Sequence, residues 1–356
     1  MIEICIKDRK KENRSFGRRF GLQWHITHKC DQRCKHCYIW RGGNKHNREI
    51  SLKECNSIIK QFLEFCNIFK VDPSINITGG DPLLSQHFWR IIEYISEQRK
   101  KCKNIRFMIL GNPFHLNKKK CEKLKSLGCA SYQLSLDGLE STHDFLRKRG
   151  SFKATLDAID ILQESNIKTV VMSTVSRFNY KEIPALFELM ISKRVEVYSF
   201  ARYCPTSLQD IDLLLKPNEY RIFLSTMWLL REKYKQCGTK FTLKDHLWKL
   251  WLYENGLLKI YKEDVVFSGC NCGIRHLTLL PDGTVYACRR FDSPIGNILL
   301  QSFKEIFLGE ELNKYRKINE IEKCNKCDLL NYCRGCRAMS YSVYNNFFAR
   351  DPQCWR

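Results

Sequence analysis

Leu22-Gln23-Trp24-His25-Ile26-Thr27-His28-Lys29-Cys30-Asp31-Gln32-Arg33-Cys34-Lys35-His36-Cys37 opens as a short apolar run, read as a strand over residues 22–27, and ends in three cysteines. The three thiols fall within eight residues of one loop. That spacing suits three corners of a cube-shaped cluster and leaves a fourth iron open to an external ligand. Soft thiolates favour iron-sulfur or zinc over magnesium or calcium. A zinc ion completed by a distant residue, or thiols without metal, are the other readings of the spacing.

Outward from this stretch, short apolar runs alternate with longer amphipathic segments as far as Cys204. Strands are expected at Leu22 to Thr27, Ser74 to Thr78, Ile105 to Leu110, Ser131 to Leu136, Lys168 to Thr174 and Glu196 to Ala201. Helical patterns separate them at Leu52 to Phe69, Phe88 to Lys100, Lys118 to Leu127, Phe152 to Ser165 and Ile183 to Ser192. Such βα units build a parallel sheet, and these are too few to close the usual eight-stranded barrel. The fold class expected is α/β: a partial (β/α)6 barrel with a small C-terminal cysteine-rich domain. Ligands in such folds sit where strands end, and the triad, Gly79-Gly80-Asp81-Pro82, Gly111-Asn112-Pro113 and Asp137-Gly138 all follow strands. The organisation expected is an N-terminal segment at 1–20, the barrel at 21–204, a mostly helical bridge at 205–262 and the cysteine-dense domain at 263–356.

The chain has 356 residues, 44% of them hydrophobic, and no apolar run of membrane-spanning length. Lys7, Arg9, Lys10, Lys11, Arg14, Arg18 and Arg19 interrupt any secretory signal, so a cytoplasmic, non-membrane protein is expected. Cytosolic thiols stay reduced, so nineteen cysteines point to metal rather than a disulfide framework. Eleven lie at chelating spacings, and the scattered Cys5, Cys55, Cys66, Cys102, Cys121, Cys129, Cys204 and Cys237 read as small core hydrophobes. The net charge of +22 suits a phosphate- or carboxylate-bearing partner. The basic residues are spread without a polybasic tail or aromatic platform, which argues against nucleic acid. A zinc-binding nucleic-acid-binding protein is the alternative of another class.

The C-x3-C-x2-C pattern after a first strand, with His36 before the last cysteine, resembles the radical S-adenosylmethionine (SAM) superfamily over nearly the whole chain. The resemblance implies a 4Fe-4S cluster on Cys30, Cys34 and Cys37 whose open iron binds the methionine part of SAM, and cleavage to a 5′-deoxyadenosyl radical. Gly79-Gly80-Asp81-Pro82 stands where the family has Gly-Gly-Glu-Pro, whose backbone contacts the methionine amino group; Asp81 shortens that side chain by a methylene. Ser135 and Arg147 match the fourth-strand segment of the peptide-modifying branch, Arg147 as a forked partner for a carboxylate. Asn112, Thr174 and His36 complete the implied cofactor contacts.

Cys272, Gly283, Cys288, Cys324, Cys327, Cys333, Cys336 and Cys354 resemble the SPASM domain, which implies two auxiliary 4Fe-4S clusters and three in all. By that pattern Cys270, Cys272, Cys288 and Cys336 hold the first, and Cys324, Cys327, Cys333 and Cys354 the second. Cys333 and Cys336 are separated by two residues where the family usually has three, and Cys270 lies two residues before Cys272, which leaves the partition open. Cys324, Cys327, Cys333 and Cys336 alone would also suit zinc.

Relatives with this module modify ribosomally made peptides or proteins. Sulfatase-maturing members carry, directly after the cysteine matching Cys288, an Asp that acts as base, whereas this chain has Arg289-Arg290, which argues against formylglycine formation and suits an acidic peptide. The implied product is a thioether crosslink, with epimerisation or carbon-carbon crosslinking as alternatives. Cys204, after the last barrel strand, is the candidate hydrogen donor for epimerisation. The implied partners are a Cys-rich precursor peptide with an acidic leader and a reductase, flavodoxin or ferredoxin electron donor. The first strand begins by residue 22, so leader binding is expected to fall to the core fold or a separate protein.

Overall fold

A computed structural model describes residues 19–41, 48–261 and 265–356. The N-terminal segment expected at 1–20 therefore lies outside the described residues except for its last two, which begin the first strand. Six strands, β1 (Arg19–His25), β2 (Asp72–Thr78), β3 (Arg106–Leu110), β4 (Tyr132–Ser135), β5 (Thr169–Val175) and β6 (Val197–Arg202), match the expected ones within three residues. They alternate with α1 (Leu52–Ile68), α2 (Phe88–Lys101), α3 (Lys118–Ser126), α4 (Glu140–Leu146), α5 (Ser151–Glu164) and α6 (Ile183–Ser192). Neighbouring strands pair in parallel and in sequence order, each strand following its predecessor through a helix.

Four strands enlarge this sheet. β7 (Lys240–Thr242), between α7 (Pro217–Lys233) and α8 (Trp248–Glu254), adds in parallel to β6. On the opposite side β8 (His276–Leu279) pairs in parallel with β1, Gly21 against His276 and Gln23 against Thr278, and β9 (Thr284–Tyr286) and β10 (Pro294–Asn297) follow antiparallel. One mixed ten-stranded sheet results, with β10 and β7 at its edges, and the cysteine-rich region grows out of it. That region continues through α9 (Phe303–Leu308) to α10 (Arg337–Tyr344).

Local chemistry explains the helices. Ser51 caps α1, accepting from the Glu54 amide while the Glu54 carboxylate accepts from the Ser51 amide, a reciprocal capping box. Cys55, Ile58, Ile59, Phe62, Phe65 and Cys66 then recur at helical spacing on its buried face. Phe62 and Phe65 pack on Phe20 of β1 and on Phe303 of α9, which joins the C-terminal region to the sheet's helical side.

The opposite face of the sheet positions the site. Parallel strands covered on both faces read as continuous hydrophobic runs. Here Leu22, Trp24, Ile75, Ile77, Phe107, Ile109 and Leu134 are fully buried beneath the helices. Their neighbours Gln23, Asn76, Met108, Gln133, Ser135, Met172 and Thr174 are only half-buried. A face lined by polar and flexible side chains and left partly open is a cavity wall. Among the described residues no helix is long and apolar enough to cross a membrane.

Candidate active site

Backbone pairing continues past β1 into the cysteine loop: the Gly80 amide donates to the Thr27 carbonyl at 2.9 Å and the Asp81 amide to the Lys29 carbonyl at 2.7 Å. A Cβ at residue 79 would lie 2.5 Å from the Thr27 oxygen, and one at residue 80 only 2.2 Å from the Lys29 oxygen. Two glycines are thus needed for the turn after β2 to clasp the chain leading into Cys30. Asp81 is fully buried, its Oδ1 accepts from the Leu83 amide at 3.3 Å, and Oδ2 has no hydrogen-bond partner and lies 4.0 Å from His115 Nε2. Burial pushes its carboxyl up to about 7. After β3 the Asn112 side chain donates from Nδ2 to Asp31 Oδ1 at 2.8 Å, so Asn112 holds the middle of the cysteine loop.

The other wall centres on Asp137, after β4, a residue whose importance its Asp-Gly turn alone does not reveal. Asp137 Oδ2 accepts from Arg147 Nε at 2.6 Å and lies 3.2 Å from His36 Nε2, while Oδ1 accepts from the Thr174 amide at 2.7 Å. Burial opposes ionisation, but Arg147 and His36 hold this carboxyl well below the usual range. The Asp137 amide donates to His143 Nδ1 at 3.0 Å, so the 2.6 Å contact of His143 Nε2 with Ser151 Oγ is donated by the ring. Burial and Arg147 push His143 down to about 4, keeping it neutral. The Arg147 guanidinium also reaches Cys34 Sγ at 3.8 Å, and the Lys35 amide donates to the Leu146 carbonyl at 2.8 Å. His36, Arg147 and Thr174 therefore meet at one carboxylate beside the triad, while Ser135 stands half-buried on the open face.

The C-terminal thiols gather in two sets. Cys272 is close enough to feel the charges of Cys270, Cys288 and Cys336, and Cys324 those of Cys354 and Cys327. Cys333 joins the second set through Cys354 and Cys324. Cys324, Cys327, Cys333 and Cys354 line one cavity. Between Cys333 and Cys336 the backbone turns left-handed at Arg334 and Gly335, φ 61° and 60°, and a Cβ at residue 335 would lie 2.5 Å from that of Asp351. This reversal sends two thiols only three positions apart into different sets.

Arg202, at the end of β6, fastens this region to the sheet. It is 2% exposed and binds Asp351 through two 2.8 Å bonds and Asp245 through a third. Asp351 Oδ2 in turn accepts from the Cys336 amide at 2.8 Å. Nothing in the sequence pairs Arg202 with residues so far along the chain. Cys204, two residues on, is buried with its Sγ 3.1 Å from Ser342 Oγ and 3.8 Å from the Arg290 carbonyl, and so packs on the C-terminal region.

These donor sets fit iron-sulfur clusters. Burial raises the Cys272, Cys288 and Cys333 thiols, Cys288 to about 12, and neighbouring thiolates add to the rise. Such groups ionise together when a polynuclear cation neutralises them. Three sulfurs on one zinc at about 2.3 Å would lie under about 4 Å apart. Among the described residues only Asp31, Asp81 and His115 bring three donors within 4.8 Å of one another, so no three thiols there stand at the spacing of a single zinc ion.

The family model of the Radical SAM superfamily matches residues 24–190, and the SPASM iron-sulfur cluster-binding domain matches residues 270–328. An AdoMet-dependent heme synthase of Methanosarcina barkeri is 26% identical, covering 94% of this chain and 95% of its own. The mycofactocin maturase MftC of Mycolicibacterium smegmatis is also 26% identical, covering 94% of this chain and 82% of its own. Among solved structures, native anSMEcpe with bound AdoMet superposes with a TM-score of 0.75 at 19% identity, covering 94% of this chain and 93% of its own. SuiB of Streptococcus suis bound to precursor peptide SuiA superposes with a TM-score of 0.74 at 17% identity, covering 95% and 76%. These two likenesses establish the fold.

Proposed function

The chain belongs to the radical SAM superfamily and carries a SPASM iron-sulfur domain, and from that premise we propose that it matures a ribosomally made peptide. Its architecture is that of a SAM-cleaving oxidoreductase acting by radical chemistry on a peptide or small molecule. In the proposed reading Cys30, Cys34 and Cys37 hold the SAM cluster, and the two C-terminal thiol sets hold auxiliary clusters. When bound, the SAM cluster and SAM supply a radical able to abstract hydrogen from an unactivated carbon.

The chain's own residues supply position and charge. Gly79, Gly80 and Asn112 fix the cysteine loop, Arg147 places a cation at Cys34, and Asp137 orients Arg147 and His36. The observation that carries the peptide reading is the open polar face bounded by the triad and the C-terminal region. Gln23, Asn76, Gln133 and Ser135 offer hydrogen bonds there to an extended backbone, and Arg289 and Lys244 offer cations to acidic side chains. The thioether is the product proposed, with a cysteine sulfur of the peptide as the trap. A small-molecule substrate is the second reading, favoured by the near full-length match to the heme synthase relative.

The test is anaerobic reconstitution followed by reduction with SAM, then co-expression with the short open reading frames beside the gene. About twelve irons for three cubes, 5′-deoxyadenosine, and a peptide lighter by two hydrogens per crosslink are expected. Unchanged mass with one deuterium taken from heavy water would mean epimerisation. Zinc in place of iron, or no 5′-deoxyadenosine, overturns the enzyme assignment; 5′-deoxyadenosine with every peptide unaltered favours the small molecule.

A further inference from the structure

Arg289 follows Cys288 directly and turns back toward the N-terminal cysteine loop, its guanidinium carbon 5.4 Å from the ring centroid of Tyr38 and 6.0 Å from that of Tyr286. It is 6% exposed, and two of its nitrogens, Nε and Nη2, are buried without a hydrogen-bond partner. No carboxylate pairs with it among the described residues. The neighbouring Arg290 is spent differently: its guanidinium donates to the Arg202 carbonyl at 2.5 Å and reaches Cys336 Sγ at 3.7 Å.

Among the described residues neither a carboxylate nor a charged imidazole compensates this charge. His25, at the end of β1, is fully buried, and burial together with Arg289 pushes its imidazole well below its usual value. Burial and Lys244 push His276 of β8 down to about 4. Both rings are therefore neutral near pH 7, and neither supplies an anion. Gln23, 3.1 Å from His25 Nε2, is polar but uncharged. An unpaired buried cation is among the most destabilising arrangements in a folded protein, and a buried donor without an acceptor adds to the penalty. It persists where a ligand completes it. The planar guanidinium fork matches a carboxylate, and stacking on two tyrosine rings pre-sets its orientation.

We propose that Arg289 is the recognition residue for a carboxylate of the substrate, held between the loop of Cys37 and Tyr38 and the strand leading to Cys288. This deepens the proposed function, resting on its placement of the substrate. It assigns the substrate class: a molecule with a carboxylate close to the carbon that loses hydrogen, whether an acidic side chain, a peptide C-terminus or an acid side arm of a small molecule. Arg290, by contrast, is a structural tie.

The test titrates the anaerobic holoprotein with 3-phenylpropionate and with 3-phenylpropionamide, alike in shape but not charge, with and without saturating SAM, reading binding by saturation-transfer NMR. The acid should bind at least about tenfold more tightly than the amide, about 1.4 kcal/mol, whether or not SAM is present. Arg289→Gln should bring the ratio below about twofold, and Arg289→Lys, which keeps charge but not the fork, should leave an intermediate ratio. Arg90→Gln, removing an exposed guanidinium on α2, should leave it intact. The proposal is overturned if the wild type binds both probes alike or neither, if SAM displaces the acid, or if Arg289→Gln keeps the tenfold ratio. Should Arg289→Gln fail to fold, an undiminished ratio in Arg289→Lys overturns it. Because the readout is binding, 5′-deoxyadenosine formation without a carboxylate preference would sink this inference alone.

Discussion

The loop after β1 draws three thiols from a few consecutive residues, all of them half-buried, whereas the C-terminal region draws its thiols from positions spread between Cys270 and Cys354, several fully buried. The first is held by neighbours at the strand ends: the glycine clasp, Asn112 on Asp31, and Arg147 on Cys34. The second is held by Arg202, which reaches Asp351 across 149 positions of sequence. A site that admits an external ligand keeps its thiols near the cavity and takes its order from the rigid sheet. A site whose thiols are all committed to metal can be sealed, and its closure then depends on long-range contacts and on the metal itself.

Three experiments press on this contrast. The largest effect separates the two cysteine sets. Cys34→Ala should lose about four irons and more than about a thousandfold in 5′-deoxyadenosine formation, with little change in melting temperature. Cys333→Ala should also lose about four irons but melt clearly lower, because metal affinity there is folding energy. Equal melting losses, measured beside iron analysis, would break the contrast.

Next in size is Arg202→Met, which strands the Asp245 and Asp351 carboxylates in the interior and should destabilise by about 3–5 kcal/mol in denaturant unfolding. Its iron loss should begin in the C-terminal sets. A variant as stable as the wild type would show that the clasp contributes nothing to holding the region on the sheet.

The smallest effect concerns Asp81. Its carboxyl is raised to about 7, against about 3.9 in an unfolded chain, so the folded state keeps a proton that the unfolded state loses in that window. This contribution to stability is present in acid and is lost as pH rises toward 7. Between about pH 5.5 and 8 the wild type should lose about 2 kcal/mol relative to Asp81→Asn, and parallel profiles would show that Asp81 stays ionised.

Much of the architecture was legible because it is local. Hydrophobic periodicity located β1 to β6, and Ser51 with Glu54 marks the start of α1. β7 escaped notice because three residues, Lys240–Thr242, carry too little pattern between two helical stretches rich in aromatics. β8 to β10 were hidden by the cysteines around them, and the pairing of β8 with β1 has no sequence signal at all. Within the site the triad and the glycine pair were readable from spacing. The Asp137 hub was half-readable, since Asp-Gly after a strand with His143 and Arg147 four apart on a helix end places one carboxylate, one imidazole and one guanidinium together. Arg289 read as a positive charge suited to an acidic peptide, and its burial on Tyr38 follows only from how the C-terminal region folds back.

By itself the sequence determined the chemistry available: which thiols are near one another in a loop, which turns require glycine, and where a parallel sheet would put its ligands. Those are consequences of backbone geometry over a few residues. Only the tertiary structure decided that Cys333 and Cys336 part company, that Arg202 locks the C-terminal region to β6, and that Arg289 has no carboxylate partner among the described residues. Each depends on side chains brought together from distant positions, where burial, rather than residue type, sets whether a charge is satisfied.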